Sequence, residues 1–195
     1  MESPDAAVSL ITERLRQSAA VTEAMAARAS HIVRGAEVIA DSFRRGGKLL
    51  LCGNGGSAAD CQHVAAEFVN RLSKERDRVA LPALALTTDT SCLTAYANDH
   101  GFDGVYARQV EAFGRPGDVL MTISTSGSSP SVLAAANVAR TRGIAVVALL
   151  GETGQLGGLA DVAIQVPSRD TQLVQQVHLV VEHLICELVE RALFP

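Results

Sequence analysis

A three-layer α/β/α sandwich around a five-stranded parallel sheet, preceded by an N-terminal helical hairpin, is the architecture this sequence predicts. Three observations carry the prediction. Five short apolar runs, at about 48–52, 81–86, 119–123, 144–149 and 162–166, each lead through a polar or glycine-rich stretch into a helical pattern. Hydrophobic residues make up 48% of the 195 residues and aromatics only 4%, with no Trp, the aliphatic composition of strands covered on both faces. The first 45 or so residues keep helical spacing and contain no strand pattern.

Taken in order, Val8, Ile11, Leu15, Thr22 and Met25 form a loose helical stripe ending near Ala27. Ser30 is a candidate cap for a second helix, whose apolar face reads Val33, Ala36, Ile39, Ala40 and Phe43 and which Gly46-Gly47 ends. This hairpin needs somewhere to bury its apolar face, and a partner subunit is one candidate. The strand at Lys48–Cys52 opens the α/β domain, so the chain divides into a helical extension, 1–47, and a domain, 48–195. Helices follow at about 57–72, 91–97, 105–113, 130–142 and 171–193, and repeated βα units give right-handed crossovers and a parallel sheet.

Composition bounds the function. A net charge of −4 is not that of a nucleic-acid-binding domain. The alternating run Lys74-Glu-Arg-Asp-Arg78 reads as a solvated loop. Cys52, Cys61, Cys92 and Cys186 form no C-x-x-C pair and no signal peptide opens the chain, which predicts reduced thiols and a cytoplasmic protein. No apolar run approaches the roughly 20 residues of a membrane helix, so no membrane partner is expected.

Parallel sheets bind small molecules at the carboxyl ends of their strands, beside the topological switch point. Two loops occupy such positions. Gly53-Asn54-Gly55-Gly56-Ser57 offers glycines and helix N-terminal N–H groups suited to an anion, but is neither a dinucleotide fingerprint nor a Walker loop; its plainer reading is a tight turn with Ser57 as N-cap. Ser124-Thr125-Ser126-Gly127-Ser128-Ser129 offers five hydroxyls, where a helix cap needs one, and so reads as a phosphate cradle. His63 and Glu67, four apart on the helix after the first loop, share a face and suit a metal, acid–base chemistry or an ordinary surface pair. On the last helix, His178/Glu182 and Gln175 or Gln176 with His183 compete to face the site, and spacing alone does not choose.

Together, Gly53-Asn-Gly-Gly-Ser-Ala-Ala-Asp60, Gln62-His63-Val-Ala-Ala-Glu67, Ser124-Thr-Ser-Gly127, and Val174-Gln175 with His183 resemble the sugar isomerase (SIS) domain family. Within it they look like the phosphoheptose isomerases, which convert sedoheptulose 7-phosphate to D-glycero-D-manno-heptose 7-phosphate. The resemblance implies that Asn54, Gly55, Gly56, Ser57, Glu67, Arg71, Thr88, Asp89, Asp99, Ser124, Thr125, Ser126, Ser129 and Gln175 bind substrate. It further implies that His63, Glu67, Gln175 and His183 hold one zinc ion per subunit, and that Glu67 and His183 are the acid–base pair. A homotetramer with sites at subunit interfaces is implied too. Gln176 departs from the family, which usually has Glu there. The DnaA initiator-associating proteins share the fold and bind the replication initiator DnaA, but lack the acid–base residues; Glu67 and His183 are both present here, which favours the isomerase.

Overall fold

The computed structural model describes residues 3–195. Helix α1, Pro4–Ala24, starts at a sequence-local signal: the Ser3 hydroxyl accepts from the Ala6 N–H and Pro4 fills the first helical turn. A 3₁₀ turn, Met25–Arg28, links it to α2, Ala29–Arg44. Ser30 therefore lies inside α2 and caps nothing, because the 3₁₀ turn runs directly into the helix. The buried face of α2 is Ile32, Gly35, Ala36, Ile39 and Ala40, whereas Val33 is 44% exposed. The stripe is rotated from the one expected because Gly35, with no side chain, lets α2 settle close to Val147 and Ile164 of the sheet.

Strands β1 (Leu49–Gly53), β2 (Ala83–Ala85), β3 (Val119–Ser124), β4 (Ala145–Leu150) and β5 (Val162–Gln165) form one parallel sheet in the order β2-β1-β3-β4-β5. β1 and β3 are buried throughout, which is why they read as unbroken apolar runs. Leu49, Leu51, Met121, Val147 and Ile164 face one layer, formed by α2, α3 (Gly56–Val69) and α7 (Thr171–Leu193). Leu50, Cys52, Leu120, Val146 and Ala148 face the other, formed by α5 (Val105–Phe113) and α6 (Pro130–Thr141). α4, Thr90–His100, is capped by the Asp89 carboxylate, which accepts from the Cys92 N–H at 2.9 Å, and lies beside that second layer. The α/β/α sandwich is thus as predicted, but the N-terminal helices are not the hairpin expected: α2 is part of one layer of the sandwich, and α1 lies against α7 rather than folding back on α2.

From β1 the chain moves outward to β2 and then returns past β1 to β3. The switch point therefore falls between β1 and β3, whose last paired residues are Gly53 and Ile123. The loop after β1 enters α3 on one face of the sheet, and the loop after β3 enters α6 on the other.

Candidate active site

The switch point brings the two polar loops together. Asn54 ties them: its amide Nδ2 donates to the hydroxyls of Ser129, at 2.7 Å, and Ser131, at 3.0 Å. The Tyr106 hydroxyl donates to the Gly53 carbonyl at 2.7 Å, and lies 3.1 Å from Asn54 Oδ1. Ser126 Oγ accepts from the Ser128 N–H and lies 3.5 Å from Ser124 Oγ. Gly127 holds a left-handed φ of +60° and sits against the backbone of Thr153 and Gly154, where a side chain would not fit. Ser124 is buried, Ser126 exposed, and Thr125 and Ser129 half-buried. Five hydroxyls thus lie in one loop at the N-terminus of α6.

Gly55, not Ser57, caps α3, with φ of +58°. Only a glycine takes that turn without strain, and it places Ser57 inside the first turn, 6% exposed. Asn54 and Tyr106 are therefore structural partners of the cradle; Ser131 and Tyr106 were not singled out by the sequence, because a serine inside a helix and a tyrosine on an amphipathic one carry no local signature.

Helices α3 and α7 run alongside one another and share one seam. At the start of α3, Gln175 of α7 lies against Gly56, where a Cβ would collide with its amide, and donates from Nε2 to Asp60 Oδ2 at 3.3 Å. Two turns on, His63 and Glu67 of α3 meet His183 of α7. Ligand atoms of these three residues lie within 4.8 Å of one another. His63 Nε2 is 2.8 Å from His183 Nε2 and 3.7 Å from Glu67 Oε1. Glu67 Oε2 is buried and has no hydrogen-bond partner among the described residues. Two imidazole nitrogens aimed at each other beside an unsatisfied carboxylate oxygen form a donor set that fits a divalent cation of the zinc type. Asp60 joins the seam; burial raises its pKa, while Gln175 and the His63 ring act to lower it. The signal for Asp60 in the sequence is its i, i+3 spacing to His63, which puts the two on one face of α3.

The competing set on α7 points elsewhere. His178 and Glu182 are fully buried, and neither has a hydrogen-bond partner among the described residues. Burial pushes His178 down to about 4 and, together with the charge of Asp60, lifts Glu182 to about 8. Both are thus held uncharged inside the protein. Burial also raises the Cys52 thiol to about 12 and those of Cys61 and Cys186 upward, which removes them as nucleophiles.

The remaining predicted residues are not gathered here by the single chain. Thr88 donates to the Ala85 carbonyl at 3.1 Å, and Asp89 caps α4. Asp99 accepts from Asn98 and lines a cavity of about 500 Å³ with Cys92, Tyr96, His100 and Arg108. Arg71 is exposed. The run 74–78 is the loop expected, with Lys74, Glu75 and Asp77 exposed, but its arginines are not solvated: the Arg78 side chain is 0% exposed and pairs with Glu190 at 2.7 Å, and Arg76 donates to the Glu190 and Phe194 carbonyls. A charge run looks the same in sequence whether its cations meet water or buried acceptors.

A five-stranded parallel sheet with two polar loops tied together at its switch point, and a His/Glu/His cluster between α3 and α7, has the form of a SIS fold. The sequence profile of the SIS domain matches residues 15–151, and the chain belongs to the SIS domain family. Its relatives there are phosphoheptose isomerases: that of Roseiflexus sp. (strain RS-1) is 57% identical over 168 residues, 86% of this chain and 84% of the relative. Among solved structures, the phosphoheptose isomerase GmhA from Neisseria gonorrhoeae superposes with a TM-score of 0.88 at 39% identity, covering 94% of this chain and 98% of that one. The Francisella tularensis phosphoheptose isomerase gives 0.90 at 32% identity, covering 95% and 98%.

Proposed function

We propose that this chain converts sedoheptulose 7-phosphate to D-glycero-D-manno-heptose 7-phosphate, an aldose–ketose isomerisation through an enediol. The convergence of Glu67 and His183, on the helix that leaves the Gly53–Ser57 loop and on its neighbour α7, carries the reading, because recognition of a sugar phosphate alone would not require that pair. The phosphate binds Ser57, Ser124, Thr125, Ser126 and Ser129 with the Asn54-Gly55-Gly56 turn, and anchors the far end of an open-chain sugar. That binding energy positions the reacting carbons.

Glu67 removes the C1 proton and returns it to C2. His183 moves the hydroxyl protons between O1 and O2. His63, Glu67, Gln175 and His183 are the residues that would hold one zinc ion per subunit, and zinc, when bound, polarises the substrate carbonyl and stabilises negative charge on oxygen. Arg71, Thr88, Asp89 and Asp99 complete the substrate site in a homotetramer, where crevices meet at subunit interfaces. The exposed Val8, Leu10, Ile11 and Leu15 of α1 supply apolar surface for that assembly. No helix among the described residues is long and apolar enough to cross a membrane, which accords with a cytoplasmic enzyme.

The purified protein is to be mixed with sedoheptulose 7-phosphate and the heptose product measured. Glu67→Gln and His183→Ala are each expected to lower kcat by about 100-fold or more while the sugar phosphate still binds. Full activity in both variants would remove the assigned roles. No turnover of any phosphorylated ketose, with DnaA retained in a pull-down, would make the chain an adaptor instead.

A further inference from the structure

The seam between α3 and α7 has a third meeting point, beyond the acid–base pair. α3 ends at Val69, and the Asn70 N–H closes on Ala66, so the carbonyls of Glu67 and Phe68 are left without the next helical N–H. The N–H of Leu72, which in a longer helix would bond Phe68, turns instead to Glu190 Oε1 at 3.3 Å. Two groups fill the place of the missing turn: the Leu81 N–H, which donates to the Phe68 carbonyl at 3.0 Å, and the guanidinium of Arg78. Its Nη2 donates to the Glu67 carbonyl at 2.7 Å and its Nη1 to the Phe68 carbonyl at 2.8 Å. Its Nε donates to Glu190 Oε1 of α7 at 2.7 Å. The Arg78 side chain is 0% exposed and that of Glu190 4%, so the pair is held away from solvent screening. One planar guanidinium therefore binds the backbone of Glu67 and the helix that carries His183. A cation at a helix C-terminus also meets the negative end of the dipole. Lysine cannot reproduce this, since it lacks the rigid fork of donors.

We propose that Arg78, locked by Glu190, is a positioning residue for the isomerisation: it fixes the last turn of α3 and hence the placement of the Glu67 carboxylate relative to His183. The proposal rests on the roles given to Glu67 and His183 above. Arg78 touches no reacting atom. Its loss lets the Glu67 turn fray while His63, one turn earlier, and the serine loop stay in place.

The test compares Arg78→Lys and Glu190→Gln with Arg76→Ala in the full-length, zinc-loaded protein. Arg76 lies in the same segment but ties only to the Glu190 and Phe194 carbonyls at the end of α7, and so serves as a control for general loosening. Arg78→Lys and Glu190→Gln are expected to lower kcat about 10- to 100-fold with KM changed by less than about 3-fold, since phosphate anchoring is remote from the brace. Both are also expected to lose zinc to a chelator faster than wild type. Arg76→Ala is expected to lower the melting temperature with kcat and zinc retention unchanged. Wild-type kcat in both Arg78→Lys and Glu190→Gln overturns the proposal. So does a fall in kcat that tracks melting temperature equally across all three variants. If the wild-type chain isomerises no phosphorylated ketose, the functional reading fails separately, and zinc retention in the variants still decides whether the brace holds the cluster.

Discussion

The Nε2 atoms of His63 and His183 face each other at 2.8 Å, with the two rings nearly perpendicular at 84°. Two neutral rings can share that contact only if one carries its proton on Nε2 and the other does not, and two protonated rings would repel. A divalent cation between α3 and α7 would replace this contact by two ligand bonds.

Zinc is therefore expected to raise the melting temperature of the chelator-treated protein, as a ligand that binds only the folded state does. His63→Ala is expected to abolish that rise. Thermal unfolding with zinc and with chelator measures both; a zinc-dependent rise that persists in His63→Ala would show that the cation binds elsewhere.

Gly56 gives a second test. Glycine to alanine at a helical position ordinarily gains up to about 1 kcal/mol. Here the added Cβ would run into the Gln175 amide, which Gly56 admits against the start of α3. Gly56→Ala is expected to displace Gln175 from Asp60 and lower kcat/KM about 10-fold, without the usual stabilisation. Activity assays and thermal melts on one preparation would check the two halves independently.

The buried pair on α7 sets the pH dependence of stability. Burial lifts the Glu182 carboxyl from its ordinary 4.5 to about 8 in the folded chain, so its neutral form is fully favourable below about 4.5 and that contribution is lost as pH rises towards 8. His178, lowered from 6.5 to about 4, acts in the other direction: the unfolded chain gains a proton first, and stability falls as pH drops below about 6.5. Glu182→Gln, which keeps the shape and cannot ionise, is expected to stabilise the protein by roughly 2–4 kcal/mol near pH 8 and by almost nothing near pH 4. Urea unfolding across this range, in chelator, reads the difference; a gain independent of pH would mean that Glu182 is not held neutral by the fold.

The βα rhythm was legible because β1, β3 and β4 are buried on both faces and so appear as plain apolar runs between turn residues. The serine loop and the His63/Glu67 spacing were legible for a similar reason, being local. The choice between His183 and the His178/Glu182 pair was not. α7 is apolar around most of its circumference, and only its neighbour α3 decides which polar residue meets a partner and which is shut inside. Arg78 was misread for the same cause, since its acceptors lie on Glu67, Phe68 and Glu190, far away in sequence or hidden in the backbone. Val33 and Ser57 were misplaced by Gly35 and Gly55, whose missing side chains set how a helix docks and where it begins.

Along the α3–α7 seam, Gln175 meets Asp60, His183 meets His63 and Glu67, and Glu190 meets the end of α3. Because three contacts at successive heights share a single pair of helices, the spacing between them is a fixed gauge. One residue inserted between Asp60 and Glu67 would turn everything beyond it by about 100° and carry Glu67 off the seam. The stretch therefore tolerates exchange of side chains only at constant length, because any change in length resets the register of all three contacts at once.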